Sequence, residues 1–591
     1  MKRLRVWAPA AKRVEIRLDS RGFDMTAEEG GWWVAPEEAA PAEADYSFLI
    51  DGGDPLPDPR SPWQPSGVHG PSRTVDHAAF PWTDASFQAR PLASAIVYEL
   101  HTGTFSPEGT FVGAIAKLDH LVALGVTHVE LMPVCEFPGR RGWGYDGVDL
   151  YAPHHAYGGP VGLKRLVDAC HARGLAVLLD VVYNHLGPSG NYLARYGPYF
   201  TARHHTPWGE ALNLDSPGSD EVRRFLCDNA KMWLRDYHID GLRLDAIHSL
   251  FDQSAVHFLE QLSAEIEELS AQLGRHLVLI AESDLNDPRV VRPRECGGYG
   301  FDAQWSDDFH HALHAALTGE RNGYYRGFGT LGAIAKALRH AYVYDGQYAP
   351  HRKRRYGRST AGLPASRFLA YLQNHDQVGN RAQGERIGHL ISEGRLRAAV
   401  ALLLLAPFPP MLFQGEEFAA STPFQFFTEH DEELGRAVTQ GRNREFAAFG
   451  WNEDSIPDPQ DAATFERSKL RWEEAQTGRG ASMLAWYGSL IRLRRLFPAL
   501  SDARMDRVRT LVDEEQKWLV MQRGPVSLVC NFSREARRIP IEIPEAALLL
   551  SSSEGVKIRA KEIEVPSEAA AIVADGREAE TEVFLRGQSS V

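Results

Sequence analysis

The chain has 591 residues, of which 43% are hydrophobic and 24% are charged. These proportions are typical of soluble globular proteins and exclude a disordered, collagen-like or fibrous chain. The 64 basic and 78 acidic side chains give a net charge of −14. We expect no nucleic-acid partner, because a basic surface supplies most of the affinity in sequence-independent binding of DNA or RNA.

The spacing of the cysteines and the lengths of the apolar runs indicate the cellular compartment of the protein. The five cysteines are far apart and form no CxxC pair, so neither a disulfide framework nor a zinc knuckle is expected. The N-terminal segment lacks the apolar stretch of a signal peptide. The longest apolar run, residues 398–406, is far shorter than the roughly 20 residues of a membrane span. We therefore expect a cytoplasmic protein with no membrane partner.

The N-terminal part of the chain has the pattern of β-strands. Residues 4–18 and 45–50 alternate apolar and polar side chains, and a stretch rich in Pro, Gly and Asp follows at 51–72. Such alternation predicts strands with one buried face. We predict an immunoglobulin-like β-sandwich over residues 1–88, resembling a carbohydrate-binding module.

From about residue 95, short apolar runs alternate with longer segments whose apolar residues have helical spacing. Eight runs are strand candidates: 96–100, 127–134, 176–182, 241–245, 277–283, 301–305, 368–376 and 411–415. Runs that are apolar on both faces suit a parallel sheet covered by helices. Eight such units predict a (β/α)8 barrel with insertions over residues 89–497. Short strand-like segments then predict a C-terminal antiparallel β-domain over 498–591.

Carboxylates stand at the ends of four of these strand candidates. They are Asp180, Asp245, Glu282 and Asp376. A barrel carries its catalytic residues at the carboxyl ends of its strands, and a buried carboxylate is costly unless it is paired. Arg243 lies two residues before Asp245 and would keep that carboxylate ionised. An ionised Asp opposite a protonated Glu suits a retaining glycosidase, whereas a purely structural ion pair among Arg243, Asp245 and Asp180 is the alternative.

Four short motifs contain these carboxylates. They are DVVYNH (180–185), GLRLDAIH (241–248), AESD (281–284) and QNHDQ (373–377). Together with NLDSP at 213–217, they resemble the ordered sequence regions of the α-amylase superfamily, glycoside hydrolase family thirteen. The resemblance implies that Asp245 is the nucleophile and Glu282 the general acid/base. It also implies that Asp376 binds ring hydroxyls and stabilises an oxocarbenium-like transition state.

The resemblance implies further contacts around the catalytic carboxylates. Arg243 would orient Asp245. The glucose unit at the cleavage point would be contacted by three side chains: Tyr145, His185 and His375. Two residues would hold these side chains in place from the side away from the substrate: Asp180 and Asn184.

More substrate contacts are expected after the fourth, sixth and seventh strands. Four residues that follow the sixth strand candidate could line a sugar cleft, with ordinary loop hydrogen bonding as the alternative: Asp307, Asp308, His310 and His311. Residues of the NHDQVGNR segment are assigned to substrate by the resemblance: Gln377, Asn380 and Arg381. His248 precedes Ser249, where many amylases have a Lys-His pair, and this departure indicates a different acceptor sugar on the leaving-group side.

Longer segments narrow the resemblance to one branch of the family. EFPGRRGWGYDGVDLYAPHHAYGGP (136–160) and QNHDQVGNRAQGER (373–386) resemble the branch that cuts the α-1,4 bond beside a terminal trehalose. The implied substrate is maltooligosyl trehalose, the products are trehalose and a maltooligosaccharide, and the implied functional partner is the synthase that makes the trehalose-capped substrate. The alternatives are an α-1,4-glucan branching enzyme or another transglycosylase, and a non-catalytic glucan-binding protein.

Neither a metal nor a cofactor is predicted. The three histidine pairs are 154–155, 204–205 and 310–311. Adjacent residues on a strand point to opposite faces, so such a pair is not expected to chelate a metal. The glycine-rich pieces lack the strand–GxGxxG–helix context of a nucleotide site.

Overall fold

A computed structural model describes residues 3–19, 21–39, 43–447, 456–543 and 545–576. Residues 577–591, the end of the predicted C-terminal domain, lie outside the described residues. Within the described part of the chain, no helix has both the length and the apolar character that crossing a lipid bilayer requires.

The N-terminal region forms two small antiparallel sheets. The first contains three strands: Arg5–Trp7, Trp32–Val34 and Thr26–Ala27. The second contains four: Arg21–Asp24, Val14–Leu18, Asp45–Ile50 and Ser72–Arg73. Along Val14–Leu18 every second side chain is buried, so the alternation read from the sequence does mark a strand with one core face. The domain limits at residues 88 and 497 stay predictions.

Eight parallel strands close into a barrel in chain order, as predicted. They are β1 (Val97–Leu100), β2 (His128–Leu131), β3 (Ala176–Val181), β4 (Gly241–Leu244), β5 (Val278–Ala281), β6 (Ala303–Trp305), β7 (Phe368–Tyr371) and β8 (Pro410–Phe413). Every residue of these strands is buried, because helices cover the outside and side chains fill the inside. The continuous apolar runs of the sequence follow from burial on both faces.

Helices separate most of the barrel strands. In chain order the α-helices are Thr102–Phe105, Phe111–Ile115, Leu118–Leu124, Gly159–His171, Leu193–Tyr196, Ser219–Asp236, Phe258–Leu273, Asp307–Thr318, Leu331–His340, His375–Gly379, Ile387–Leu390, Glu393–Leu405, Glu432–Ala447, Ala462–Arg467 and Gly478–Leu496. Between β5 and β6 the fully described chain makes two 3-10 turns, Pro288–Val291 and Arg294–Cys296, and no α-helix. Two prolines and three glycines in this stretch disfavour a helix, so the strict strand–helix repeat is broken here.

Three hairpins interrupt the barrel at the carboxyl ends of its strands. They follow β2, β3 and β6, and their paired strands are Cys135–Glu136 with Asp149–Pro153, Phe200–Thr206 with Gly209–Leu212, and Tyr348–Ala349 with Arg354–Arg355. The active face of a barrel lies at this end. The hairpins therefore build the rim of the candidate site.

The C-terminal region again forms two antiparallel sheets. The larger has five strands: Val508–Asp513, Trp518–Arg523, Val526–Asn531, Ala569–Asp575 and Ala546–Ser551. The smaller has three: Arg537–Pro540, Glu562–Val565 and Lys557–Arg559. Two buried arginines donate to backbone carbonyls at 404–408: Arg523 of the larger sheet, which joins this region to the barrel, and Arg494 of the helix Gly478–Leu496. Those carbonyls lie at or just after the C-terminal end of the helix Glu393–Leu405, which attracts positive charge.

Candidate active site

The barrel interior changes from apolar to charged near the carboxyl ends of the strands. Val97, Leu178, Leu369 and Met411 belong to an apolar cluster that the strands enclose. One layer higher stand Glu99 on β1, Glu130 on β2, Asp180 on β3 and Arg243 on β4, all nearly fully buried. Side chains of successive strand residues point to opposite faces. The residue two positions further along a strand therefore points into the barrel again, and these residues form the polar layer directly above the apolar one.

Arg243 connects the acidic side chains of three neighbouring strands. Its Nη1 lies 2.6 Å from Asp180 Oδ2 and 3.0 Å from Asp245 Oδ1, and its Nη2 lies 2.9 Å from Glu282 Oε2. The guanidinium carbon sits 4.0 Å from the ring centroid of Trp305 on β6. A planar cation held over an aromatic ring is fixed in direction, so Arg243 sets where the three carboxyl groups stand.

Asp245 is the first residue after β4 and is held as an anion. Asn184 Nδ2 donates to its Oδ2 over 2.7 Å and to its carbonyl over 2.8 Å. Burial alone would raise the pKa of Asp245. Arg243, together with His185, Asn184 and His375, outweighs burial and holds that pKa below its ordinary value. An ionised carboxylate with one oxygen facing a cleft can attack an electrophilic carbon.

Glu282 follows β5 and has the opposite protonation preference. Burial, together with the negative charges of Asp245 and Asp376, raises its pKa well above the ordinary value, and Arg243 opposes this only in part. Its Oε2 accepts a hydrogen bond from the backbone N–H of Ala246 over 2.8 Å. A carboxyl group that keeps its proton near neutral pH can act as a general acid.

The backbone turn after Asp245 brings the two carboxyl groups together. Ala246 adopts φ 38°, ψ 49°, in the left-handed region, which costs a residue with a Cβ about 1–2 kcal/mol. The turn lets Ala246 N–H reach the Glu282 side chain and Ile247 N–H reach the Glu282 carbonyl over 3.1 Å. Strain of this kind is characteristic of functional sites.

Asp376 belongs to the same group but does not end a strand. β7 stops at Tyr371, and Asp376 lies in the first turn of the short helix His375–Gly379. The prediction of a strand over 368–376 was therefore too long. Asn374 caps the helix by accepting from the N–H groups of Asp376 and Gln377, a favourable arrangement that apolar patterning does not reveal. The Asp376 side chain is 39% exposed, against 12% for Asp245 and 18% for Glu282.

A buried carboxylate that the sequence reasoning missed supports His375. Glu99 on β1 accepts from His375 Nδ1 over 2.5 Å and from its backbone N–H over 3.1 Å. Burial opposes the charged imidazole, but Glu99 and Asp376 outweigh it and raise the pKa of His375 to about 9. His375 Nε2 lies 2.8 Å from the Tyr145 hydroxyl and 3.6 Å from Asp376. The sequence signal for Glu99 is the polar residue inside the run IVYEL.

Tyr145 and Asp180 complete the inner group. The Tyr145 hydroxyl donates to Asp180 Oδ2 over 2.6 Å, and its ring stacks on that of His375 with centroids 5.1 Å apart. Burial and Asp245 raise the pKa of Asp180 to about 6, with Arg243 and Tyr145 acting in the opposite direction. Both residues stand next to the carboxylates as expected, and stacking of Tyr145 on a sugar stays a prediction.

His185 lies beside Asp245 and forms part of the rim. Its Nδ1 contacts the Asn184 amide oxygen, and its Nε2 lies 3.1 Å from the Tyr145 carbonyl. Its ring stacks on Trp208 with centroids 4.5 Å and planes 13° apart. Trp208 is 50% exposed, so this residue of the hairpin after β3 offers a free aromatic face to a ligand.

His248 lines a cleft of about 280 Å³. Its Nε2 is 3.9 Å from Asp284 Oδ1. Phe251, His204 and Tyr299 also line this cleft. The cleft adjoins the turn after Asp245, and contact of His248 with a sugar on the leaving-group side stays a prediction.

The residues predicted after β6 do not join the carboxylate group. Asp308 Oδ2 accepts from Asn286 Nδ2 and from the N–H groups of residues 343 and 344, over 2.7–2.9 Å. His310 is 1% exposed, and its two nitrogens contact the Leu372 carbonyl and the Tyr325 hydroxyl. These contacts are the loop hydrogen bonding that was the alternative, and contact of Asp308 and His310 with a sugar stays a prediction. His311 packs beside the rings of Tyr324 and Phe328.

The residues predicted after β7 have mixed placements. Asn380 Nδ2 lies 3.2 Å from Asp376 Oδ1, so it adjoins the carboxylate group. The Gln377 side chain closes the helix cap by accepting from the Asn374 N–H over 3.2 Å. Arg381 makes a two-pronged pair with Glu320 over 2.9 and 3.0 Å. Direct contact of these three residues with a sugar stays a prediction.

Two further acidic residues lie near the site: Asp307, which was expected with Asp308 to line the sugar cleft, and Asp284, which the sequence reasoning left out. Asp307 follows β6 and accepts from the Tyr371 hydroxyl. Burial raises the pKa of Asp307 to about 6, with Asp284 and Asp376 adding to the rise. Asp284 pairs with Arg352 over 2.7 Å, which joins the chain after β5 to the hairpin after β6.

The expectation that neighbouring histidines diverge is wrong for His154 and His155. His154 comes one residue after the strand Asp149–Pro153, and His155 begins a 3-10 turn, so the alternation of a strand does not apply to them. Both Nδ1 atoms point at one carboxylate, Glu136: His154 from 3.2 Å and His155 from 2.6 Å. The described residues thus contain a cluster of three potential metal ligands outside the carboxylate group.

Comparisons with known proteins agree with this geometry. The Alpha-amylase catalytic-domain family matches residues 77–204. A malto-oligosyltrehalose trehalohydrolase of Rhizobium sp. (strain M-11) is 49% identical over 97% of this chain and 98% of its own length. Its Arthrobacter ramosus counterpart is 50% identical over 97% and 99%. A 1,4-alpha-glucan branching enzyme of Xanthomonas campestris is 30% identical over 70% of this chain and 60% of its own length.

Solved structures share the whole architecture. A Salmonella typhimurium protein assigned to the alpha amylases has a TM-score of 0.89 and 38% identity, and the match covers 97% of both chains. A pullulanase from Anoxybacillus sp. has a TM-score of 0.73 over 97% of this chain and 86% of its own, at 20% identity. The second likeness concerns the fold alone.

Proposed function

Because this chain belongs to the malto-oligosyltrehalose trehalohydrolase family, we propose that Asp245, Glu282 and Asp376 hydrolyse the α-1,4-glucosidic bond beside the terminal trehalose of maltooligosyl trehalose. The products are trehalose and a maltooligosaccharide. The observation that carries this proposal is the pair of opposite protonation preferences around Arg243: an ionised Asp245 and a protonated Glu282.

In the first half of the reaction, Glu282 gives its proton to the glycosidic oxygen while Asp245 attacks the anomeric carbon from the other face. The bond from that carbon to oxygen breaks as the bond to Asp245 forms, and trehalose leaves with the proton. Arg243 holds Asp245 at the correct angle, because its Nη1 bonds the oxygen that does not attack. This division of roles is that of retaining glycosidases.

In the second half, Glu282 is a carboxylate and takes a proton from water. The resulting hydroxide attacks the anomeric carbon, Asp245 leaves as an anion, and Glu282 is again protonated. A group whose pKa is raised by burial and by neighbouring carboxylates regains its proton readily at neutral pH. The same side chain therefore serves both steps.

Asp376 and His375 act on the sugar ring. Asp376 is the most exposed of the three carboxylates and accepts hydrogen bonds from ring hydroxyls as the ring flattens. His375, a cation through Glu99, supports Asp376 and donates to the same sugar. They follow β7, two strands along the barrel from β5, after which Glu282 stands. The exposed face of Trp208 and the cleft beside His248 provide room on the two sides of this ring.

Product analysis tests the activity. With maltotriosyl trehalose, we expect trehalose and maltotriose, and the new reducing end of maltotriose appears first as the α anomer in time-resolved NMR. The β anomer first would indicate inversion. Branched glucan from amylose, without trehalose release, would support the branching-enzyme alternative.

The isosteric variant Asp245→Asn tests the residue assignment. It removes the nucleophile and keeps the hydrogen bond from Asn184, so we expect kcat to fall by about 10⁴–10⁶-fold with an unchanged melting temperature. The exposed residue His205, outside the carboxylate group, provides the matched control His205→Ala, with kcat near wild type. Turnover retained by Asp245→Asn would contradict the assignment.

The cellular setting follows from the substrate. A synthase that caps maltooligosaccharides with trehalose must supply the substrate, so we place the two enzymes in the same compartment. The cytoplasm fits the cysteines: all five are described and unpaired, and four are buried. Fractionation of cells that contain the tagged protein tests this placement.

A further inference from the structure

A buried cluster of two histidines and one glutamate lies at the base of the hairpin that follows β2. Glu136 ends the first strand of this hairpin, and His154 and His155 follow its second strand. One potential ligand atom from each residue lies within 4.8 Å of the other two. The Glu136 and His154 side chains are fully buried, and the His155 side chain is 26% exposed. The hydrolytic mechanism uses none of the three.

The buried ring of His154 has few polar contacts. Its Nδ1 lies 3.2 Å from Glu136 Oε2, and its Nε2 has no hydrogen-bond partner among the described residues. Its ring stacks on Phe137 with centroids 3.8 Å apart. A buried polar group without a partner costs stability. A ligand between Nδ1 and the Glu136 carboxylate would give Nδ1 a partner.

We propose that Glu136, His154 and His155 bind a divalent transition-metal ion, for which Zn²⁺ is the best fit. Two imidazole nitrogens and one carboxylate oxygen are ligands that zinc prefers, with a water molecule as the fourth ligand. The partly exposed edge of His155 provides the path for the water and for the ion. Small movements of the three side chains bring the donors to the spacing of about 3–3.5 Å that a tetrahedral ion requires.

The three side chains offer the donors that a divalent cation takes. A carboxylate supplies negative charge, and an imidazole nitrogen binds a metal only when that nitrogen carries no proton. Protons therefore compete with the ion at His154 and His155, and we expect affinity to fall as the pH is lowered.

The ion would fix the two ends of the segment that carries Tyr145. Glu136 lies nine residues before Tyr145 and His154 nine residues after it. Backbone pairing of the hairpin is short and irregular, with a register shift between Cys135 and Glu136. A metal ion bound here would hold the loop more firmly than the two paired positions of the hairpin strands do. The ion would be separate from the catalytic carboxylates. The expected effect is on stability, with hydrolysis left nearly unchanged.

Zinc titration tests the site directly. Full-length protein is freed of metal with a chelator and titrated with ZnCl₂ by calorimetry, in competition with a chromophoric zinc indicator. We expect one Zn²⁺ per chain and a higher melting temperature with Zn²⁺. Glu136→Gln and His155→Ala should each lower the affinity by about 100-fold or more. Co²⁺ in place of Zn²⁺ should give the visible absorption of a tetrahedral site.

Two controls make the result decisive. His205→Ala removes an exposed histidine from another pair and should leave zinc affinity and the Co²⁺ spectrum unchanged. His155 is partly exposed, so His155→Ala should stay folded, and circular dichroism of each variant verifies this. Equal affinity in the wild type and both site variants, or no saturable binding by the folded wild type, would overturn the proposal. Because the readout is metal binding, failure here leaves the proposed hydrolysis unaffected.

Discussion

The two sides of the barrel mouth position their polar side chains in different ways. On the β3–β5 side, Asp180, Arg243 and Asp245 lie on or directly after their strands, and their contacts are those expected from strand ends. On the β6–β7 side, Asp308 and His310 lie on a helix and make contacts within the protein. Strand geometry therefore predicts where a side chain points, whereas loop and helix geometry after a strand does not.

Activity should be more sensitive to mutation of the residues on and directly after β3–β5 than of those after β6. Arg243→Lys is the variant with the largest expected effect. A lysine cannot contact three carboxyl groups from one planar head, so Asp245 loses its orientation. We expect kcat to fall by about 100-fold or more, while the variant Arg352→Lys, outside this group, stays within a few-fold of wild type. A near-normal kcat for Arg243→Lys would contradict the central role of this guanidinium.

The pH profile sharpens this prediction. Activity requires Asp245 ionised and Glu282 protonated, so the profile is bell-shaped. The Arg243 charge lowers the pKa values of both carboxyl groups. A lysine in a poorer position lowers them less, so both limbs of the kcat/KM profile should move to higher pH in Arg243→Lys. A purely structural loss would reduce the height of the profile and leave its limbs in place.

A second comparison concerns the partly exposed Asp376 and the buried Glu99. Glu99 supports His375, the residue before Asp376. Glu99 keeps His375 charged, with a pKa of about 9. In Glu99→Gln the imidazole loses this partner and becomes neutral near physiological pH. We expect kcat/KM at pH 8 to fall by about tenfold, and the loss to be smaller at pH 6, where His375 is still protonated. A pH-independent loss would indicate that Glu99 acts by packing alone.

The same pair affects stability with a defined sign. The folded-state pKa of His375 is raised above its unfolded value, so its pairing contributes fully below about pH 6.5 and is lost as the pH rises through about 9. Wild type should therefore lose more unfolding free energy than Glu99→Gln between pH 6.5 and 9. Chemical denaturation at the two pH values measures this difference.

The particular residues show what the sequence could and could not reveal. Eight apolar runs located the barrel strands, because burial on both faces leaves a continuous signal. The residue after a run was enough to find Asp245 and Glu282. Asp376 was found through its motif. The helix that contains it was not predicted, because the Asn374 cap at its start depends on local hydrogen bonds. Glu99 was missed because one polar residue inside an apolar run does not reveal which distant loop it contacts.

Variants of the neighbours Asp307 and Asp308 have the smallest expected effects. They discriminate best between a residue that acts on the active site and a residue that only holds a loop. Asp308 accepts three hydrogen bonds that hold the segment near residues 343–344. Its removal in Asp308→Ala leaves these donors unpaired, so we expect the free energy of unfolding to fall by about 1–3 kcal/mol with kcat within a few-fold of wild type.

Asp307 should behave in the opposite way. It makes one hydrogen bond, with Tyr371, and adds negative charge beside Asp376 and Glu282. Asp307→Ala removes a buried carboxyl group that repels its neighbours, so stability should change little. The loss of that charge lowers the pKa of Glu282, and the basic limb of the kcat profile should move to lower pH. A shift in Asp308→Ala but not in Asp307→Ala would mean that Asp308 is the residue coupled to the active site.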